Sequence, residues 1–304
     1  MTILVVGEAL MDLIVKTDGT LTAVAGGGPF NTARTIARLG AEVSFLGGVS
    51  DDVFGRQITA ALVGDGVAVP LPARAGFPTT LALAELDDAG AARYEFYTAG
   101  TSAAQLHEAD IPASIVSDAD VIHVGTLGLL LQPLAGTVES VVQRARHDAL
   151  VFVDPNCRPG VAPDEAAYRA RLTRLLSRAD VVKVSGDDMA YLDPGSSALD
   201  SARALLTHGP RVVLFTDGAN SVHILRREAE TVVLVPKVDV VDTVGAGDAF
   251  GGAFLAFWVG AGLGAKDLED QDRLIATVER AIIVAAITCS RAGANPPRLD
   301  ELPL

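Results

Sequence analysis

The stretch from Asp242 to Phe250, DTVGAGDAF, sets two carboxylates around a run of small residues, and the apolar segment GGAFLAFWVGAG follows directly. Gly245, Ala246 and Gly247 stand where a loop enters a helix, so backbone N–H groups can converge there without side-chain obstruction. A helix N-terminus carries partial positive charge and binds phosphate or developing negative charge. Asp248, in the same turn, is expected to stay ionised beside that anion site. It could then accept a hydroxyl proton while the amides steady the group being attacked. Alcohol-directed phosphoryl transfer requires that arrangement.

Two plainer readings compete. Asp248 could simply cap the helix, with Asp242 a turn residue. Gly245, Gly247 and Gly251 also loosely resemble a dinucleotide fingerprint, but a second helical stretch follows them instead of a βαβ unit.

Other segments offer polar groups to a ligand. In AGGGPFNTA, Gly26 to Gly28 permit close backbone approach and Asn31 supplies a donor and an acceptor, although a flexible loop before a helix reads the same way. Asp12 is the one charge inside the apolar stretch EALMDLIV apart from Glu8 at its start. On a strand leaving the main sheet it could receive sugar hydroxyls; on an edge strand it would face solvent. DPNCRP follows a strand and would lie at its C-terminal end, where α/β folds bind ligands. Arg158 there could meet a hydroxyl, a carboxylate or only a surface partner. No Walker A sequence occurs, which argues against a P-loop nucleotidase.

The elements that position these groups follow a βα rhythm. ILVVGEALMDLIV reads as a buried parallel strand, PFNTARTIARLG as a helix closed by Gly40, EVSFLGGVSDD as a strand and GRQITAALVGDG as a helix. Between about Arg74 and Thr101 the rhythm breaks. TTLALAELDDAGAARYEFYTAG reads as a hairpin around DDAGA, in a small sheet apart from the main one. The strands DVIHVGTL, ALVFVDPN, DVVKVS and RVVLFTDG then alternate with helix-like sequence, and the chain is mostly helical from Asp242 to about Arg291. A three-layer α/β domain follows from this pattern alone.

Composition sets the bounds. With 304 residues, about half of them hydrophobic, the chain can bury one large aliphatic core. A net charge of -14 argues against nucleic-acid binding by a basic face. Cys157 and Cys289 make neither a disulfide framework nor a zinc pattern. Gly251 to Gly262 is too short to span a bilayer, and the start lacks a basic leader, so a soluble cytoplasmic protein without membrane attachment is expected.

Together these segments resemble the ribokinase-like (PfkB) carbohydrate kinases. DTVGAGDAF is similar to that family's C-terminal signature and GGGPFNTARTIARLG to its N-terminal glycine-rich one. VVGEALMDL, DPNCRP, VVKVSGDDMAYL, LFTDGANSV and AAITCSRAGANPP extend the resemblance over nearly the whole chain. It implies a ribokinase-like three-layer αβα sandwich, with a mostly parallel central sheet, as a single domain over 1–304. A small β lid would comprise roughly Ala9–Val24 and Arg74–Thr101 and often serves in homodimerisation.

By the same resemblance Asp248 is the base and Gly245, Ala246 and Gly247 form the anion hole. Asp12, Gly27, Gly28 and Asn31 hold the sugar, with Arg158 beside them. Thr216, Asp217 and Gly218 contact ATP, and Ser185 lies near the phosphates. Magnesium arrives with ATP. Some members bind potassium, for which Asp242, Val244, Thr288, Arg291 and Gly293 are the matching positions; Pro297 stands where ribokinase-type sequences often carry a hydroxyl residue. VDPNCRP and KVSGDD are similar to the fructokinase and 2-keto-3-deoxygluconate kinase branch. The latter commonly place an arginine after the lid's aromatic pair, whereas here FYTAGTS has Thr98 in that region. A missing charge partner disfavours an acid sugar and points to a neutral ketose, fructose first. 2-Keto-3-deoxygluconate kinase, ribokinase or nucleoside kinase activity, and a sugar-binding regulator on the same fold, are the alternatives.

Overall fold

The computed structural model describes residues 1–15, 19–86, 92–161 and 164–303. The chain opens with β1 (Ile3–Val6), β2 (Leu10–Val15), β3 (Leu21–Gly26) and α1 (Gly28–Arg38). β4 (Val43–Leu46), α2 (Val53–Gly64), β5 (Leu81–Leu86) and β6 (Ala92–Tyr97) follow. The middle alternates through α3 (Ala113–Ser117), β7 (Val121–Gly125), α4 (Leu134–Arg144), β8 (Leu150–Asp154), α5 (Glu165–Leu176) and β9 (Val181–Ser185). Next come α6 (Gly186–Leu192), α7 (Ala198–Ala204), β10 (Val212–Asp217), β11 (Ser221–Arg226) and β12 (Ala229–Leu234). Two long helices, α8 (Ala246–Gly260) and α9 (Gln271–Cys289), complete the core.

The large sheet has the order β12-β11-β10-β9-β8-β7-β1-β4. It is parallel from β10 to β4 and antiparallel only across β10-β11-β12. The inner strands β1, β7 and β8 are buried along their whole length, as continuous Val/Ile/Leu runs demand when helices cover both faces. One face packs Val5, Phe152 and Leu214 against Phe254 and Trp258 of α8 and Ile282 of α9. The other packs Val124, Val153 and Val184 against Leu134 and Val138 of α4 and Leu172 of α5. The three-layer expectation holds. No helix among the described residues is long and apolar enough to cross a membrane.

The second sheet, β3-β2-β5-β6, is separate. Only β2 and β5 run parallel in it, and β5 and β6 form the expected hairpin; its DDAGA turn lies outside the described residues. Two features differ from the pattern reading. The run ILVVGEALMDLIV is two strands, β1 in the large sheet and β2 in the small one, because the chain changes sheets at Gly7–Ala9 while staying apolar. Hydrophobicity alone does not report that exchange. The pattern also leaves the stretch after Gly218 unassigned, where β11 and β12 form. In β12 burial alternates, yet the outward face carries Val232 and Leu234 beside Glu230, which hides the period.

Helices α1 and α8 cross closely. A Cβ on Gly252 would stand 2.8 Å from both the Thr32 carbonyl oxygen and Thr35 Cβ. The hydroxyl of Thr35 turns back to the Asn31 carbonyl at 2.8 Å, keeping that face of α1 compact. Gly252→Ala is therefore expected to lower unfolding free energy by about 1–3 kcal/mol through overpacking. Urea unfolding measures it; an unchanged midpoint would mean α1 moves aside freely.

Candidate active site

Strands β1, β7, β8, β9 and β10 end on one edge of the large sheet, and a cavity of about 420 Å³ opens there. α8 and its entry loop contribute Val244, Gly245, Gly247 and Asp248 to its walls. Gly27, Gly28 and Asn31 come from the start of α1, while Thr126, Asn156, Arg158 and Lys183 come from the strand ends. Leu10, Asp12, Tyr94 and Phe96 of the small sheet form the remaining side. Alternation along β6 turns Tyr94 and Phe96 the same way, rings 6.0 Å apart, and Tyr94, like Tyr97, is half-exposed.

Asp248 is the third residue of α8 and is 8% exposed. Its Oδ2 accepts from Asn31 Nδ2 at 2.9 Å and its Oδ1 from Asn156 Nδ2 at 3.4 Å. The carboxylate points across to other elements, so the capping reading falls. The N-cap is Gly245, in the left-handed region at φ 76°, with no side-chain cap. Ala246 donates its N–H to the Thr243 carbonyl at 3.2 Å. Among the described residues no protein acceptor engages the amides of Gly245 and Gly247. A Cβ on Gly247 would lie 2.8 Å from Lys183 Nζ, so glycine there lets an ammonium reach the helix mouth.

Charge in the cavity is tightly set. Burial pushes the Asp248 carboxyl up, against the ionised state expected from the sequence, while the Asn31 hydrogen bond and the charges of Lys183 and Arg158 pull it back. Burial raises Glu8 to about 8 and Asp12 to about 7, with the charge of Asp248 adding to both. Lys183 pairs with Asp154 at 3.1 Å, both buried. Burial disfavours its charge, but Asp154, Asp188 and Asp248 outweigh that and hold the ammonium protonated.

The structure brings Asp12, Gly27, Gly28, Asn31, Arg158, Gly245, Gly247 and Asp248 to one cavity. Arg158 donates to the Asn156 carbonyl at 2.9 Å and to its Oδ1 at 2.6 Å. Ser185, Thr216, Asp217 and Gly218 lie farther along the same edge, with Ser185 and Thr216 register neighbours on β9 and β10. Ser185 caps α6 by accepting from the Asp188 amide at 3.2 Å, and Asp217 accepts from Asn220 Nδ2 at 3.0 Å. Asp242 joins the loop before α8 to the chain beyond α9, accepting from the amides of Val244 at 3.0 Å and Gly293 at 2.8 Å. The Thr288 carbonyl takes the Arg291 amide at 3.1 Å. Among the described residues no group of three or more His, Cys, Asp or Glu converges as a metal cage.

Sequence reasoning missed Glu8, Thr126, Asn156 and Lys183 as wall residues. Asn156 and Lys183 sit inside the quoted DPNCRP and DVVKVS segments, so their nearness to strand ends was readable. Nothing in the sequence signals that Thr126 and Asn156 take positive φ of 53° and 38°.

A family model described as pfkB family carbohydrate kinase matches residues 2–301. The chain is 34% identical over 259 residues to a fructokinase of Rhizobium leguminosarum bv. trifolii, covering 84% of this chain and 78% of that protein. Among solved structures, the fructokinase of Xylella fastidiosa with bound ATP superposes with a TM-score of 0.90 at 30% identity, covering 99% and 96% of the two chains. A double mutant of the fructokinase of Vibrio cholerae O395, in its fructose-, ADP- and potassium-bound form, gives 0.85 at 26% identity, covering 96% and 93%.

The raised carboxyls set a pH dependence of stability. A carboxyl whose folded value lies above its unfolded one stabilises the fold at low pH and loses that contribution as pH rises through the folded value. For Glu8 and Asp12 the loss spans roughly pH 4 to 8. Urea unfolding of the ligand-free protein should show stability falling across that window, and Asp12→Asn should flatten the slope. An identical slope in the variant would contradict the assignment.

Proposed function

The chain belongs to the pfkB family of carbohydrate kinases, and on that footing we propose that this ATP-dependent sugar kinase phosphorylates a primary hydroxyl of fructose. The observation that carries the proposal is Asp248, held between Asn31 and Asn156 beside the open amides at the mouth of α8. Asp248 is the base that takes the hydroxyl proton. Its Oδ2 is committed to Asn31, so Oδ1, with its longer contact, is the accepting atom. An alcohol is too weak an acid to ionise beforehand, so proton transfer accompanies or follows P–O bond formation, and positioning and electrostatics carry most of the rate. The N-terminal turn at Gly245, Ala246 and Gly247 receives the charge of the transferring group, with Lys183 beneath it.

Asp12, Gly27, Gly28 and Asn31 hold the sugar. Asn31 Oδ1 is buried and has no protein partner among the described residues, which suits a sugar hydroxyl as donor. Tyr94 and Phe96 lie against the sugar's C–H face, and the small sheet, within 9–24 and 74–101 of a single domain, acts as a lid. Ser185, Thr216, Asp217 and Gly218 carry the nucleotide. Magnesium is held chiefly by the ATP phosphates themselves and neutralises their charge when bound. β3 is an edge strand with Leu21 and Val24 exposed, and a second copy of the chain would cover it. The work takes place in the cytoplasm, where ATP and free sugar meet.

Charge supports a neutral sugar independently of the lid. A substrate carboxylate would enter a cavity holding Asp248, where burial and that charge already raise Glu8 to about 8 and Asp12 to about 7, so a further negative charge there is costly. One observation favours an acid sugar: Arg158 reaches the same cavity and has no carboxylate in ion-pair range among the described residues.

The test is ADP release with Mg-ATP against fructose, ribose, tagatose, adenosine and 2-keto-3-deoxygluconate. Fructose is expected to show the highest kcat/KM, and Asp248→Asn to lower kcat by about 10²–10⁴-fold. Preference for the acid sugar would mean Arg158 receives a carboxylate; full activity of Asp248→Asn would remove the base. Silence across the panel with ATP still bound would favour a regulator.

A monovalent cation is proposed at Asp242, Val244, Thr288, Arg291 and Gly293. Asp242 has no cationic partner in ion-pair range among the described residues and sits against the C-terminus of α9, where partial negative charge also attracts a cation. Potassium should raise activity over tetramethylammonium, and Asp242→Ala should abolish the difference.

A further inference from the structure

We infer that Glu8 is a positioning residue, closing a hydrogen-bonded ring that sets the sugar-binding turn of α1 against Asp248. The kinase reading above supplies its activity readout; the geometry stands without it.

Glu8 lies where the chain leaves β1 of the large sheet for β2 of the small one, and it is 0% exposed. Its Oε1 accepts from the Gly28 amide at 3.2 Å. Gly28 is where the chain returns from β3 of the small sheet and begins α1. One carboxyl therefore ties the outgoing crossing between the sheets to the returning one. Its Oε2 accepts from the Gly128 amide at 2.8 Å, in the turn that follows β7.

That turn holds Thr126 at φ 53°. A β-branched residue is strained in the left-handed region and stays there only where its surroundings insist. Thr126 Oγ1 accepts from Asn156 Nδ2 at 3.4 Å, and the same amide group, with its second hydrogen, donates to Asp248 Oδ1. Asp248 Oδ2 accepts from Asn31, whose own amide donates to the Gly27 carbonyl at 2.9 Å. The circuit runs Glu8, Gly28, Asn31, Asp248, Asn156, Thr126, Gly128 and back to Glu8. It joins the crossing from β1 to β2, the start of α1, the first turn of α8, the end of β8 and the turn after β7.

Filling space does not account for a carboxyl in this place. Among the described residues Glu8 has no cation in ion-pair range, and burial raises it to about 8, so it is retained at a cost to stability. An apolar side chain of similar size would avoid that cost but leave the amides of Gly28 and Gly128 without an acceptor. A carboxyl is the group that offers two acceptor atoms to two amides approaching from different elements.

Glu8→Gln and Glu8→Ala test this. Gln keeps one acceptor and turns its NH2 toward the other amide, so it should fall between wild type and Ala. In the ligand-free protein, amide hydrogen exchange should quicken at Gly28 and Gly128 together in Glu8→Ala. With Mg-ATP and D-fructose, kcat/KM for fructose should fall about 10–100-fold in Glu8→Ala, with the KM for ATP nearly unchanged. The unfolding midpoint of Glu8→Gln should lie between those of wild type and Glu8→Ala, because one buried amide loses its acceptor. Unchanged exchange at both glycines would overturn the inference. So would a fructose kcat/KM close to that of wild type, or a matching rise in the KM for ATP with a lowered midpoint, which marks a general loss of fold. If wild type does not phosphorylate fructose, the fructose reading fails on its own, and the exchange result alone decides on Glu8.

Discussion

Asp248 is held in a nearly dry position by two amide side chains that reach it from different parts of the fold. Asn31 comes from α1, at the start of the chain, and Asn156 from the end of β8, so the hydrogen bonds span 217 and 92 residues of sequence. A buried carboxyl tends to take up a proton, and once protonated it can accept no other. The hydrogen bonds and the charges of Lys183 and Arg158 lean the other way. Most of the surrounding architecture follows from keeping that balance. α8 must be apolar on nearly every side so that its N-terminus can be driven into the protein, and α1 must cross it closely enough for Asn31 to reach.

The same constraint explains how an acidic chain can handle a polyanion. The net charge of -14 is a property of the whole surface, whereas the mouth of α8 is a local exception to it. There the open amides of Gly245 and Gly247 and the ammonium of Lys183 supply positive potential from within. Lys183 stays charged because acids beneath it compensate its burial. Local electrostatics in a low-dielectric site outweigh the distant surface charge, which solvent screens.

The small sheet adds a second requirement. It forms one side of the cavity while remaining separate from the large sheet, and the chain crosses between the two at Gly7–Ala9 and again at Gly26–Gly28. Both crossings contribute to the cavity walls, through Glu8 on one side and Gly27 and Gly28 on the other. The crossings between the sheets and the cavity walls are thus built from the same few residues, and Glu8 joins them through the amides of Gly28 and Gly128.

Much of this was legible in the residues. The βα rhythm, the hairpin of the small sheet, and the small-residue turn before Asp248 all follow from local rules: period, apolar runs, and the need for room at a helix mouth. Those rules act between neighbours, so they read correctly along the chain. They do not report where a continuous apolar run passes from one sheet to another, and so β1 and β2 looked like a single strand. Nor do they mark β12, whose outward face is itself partly apolar. The site divides in the same way. Residue types and spacing determined that Asp248 stands beside converging amides. Which groups hold it, how far burial raises its carboxyl, and that Glu8, Thr126, Asn156 and Lys183 meet there were decided by tertiary structure, because those contacts join strand ends and helices that become neighbours only once the sheet has assembled.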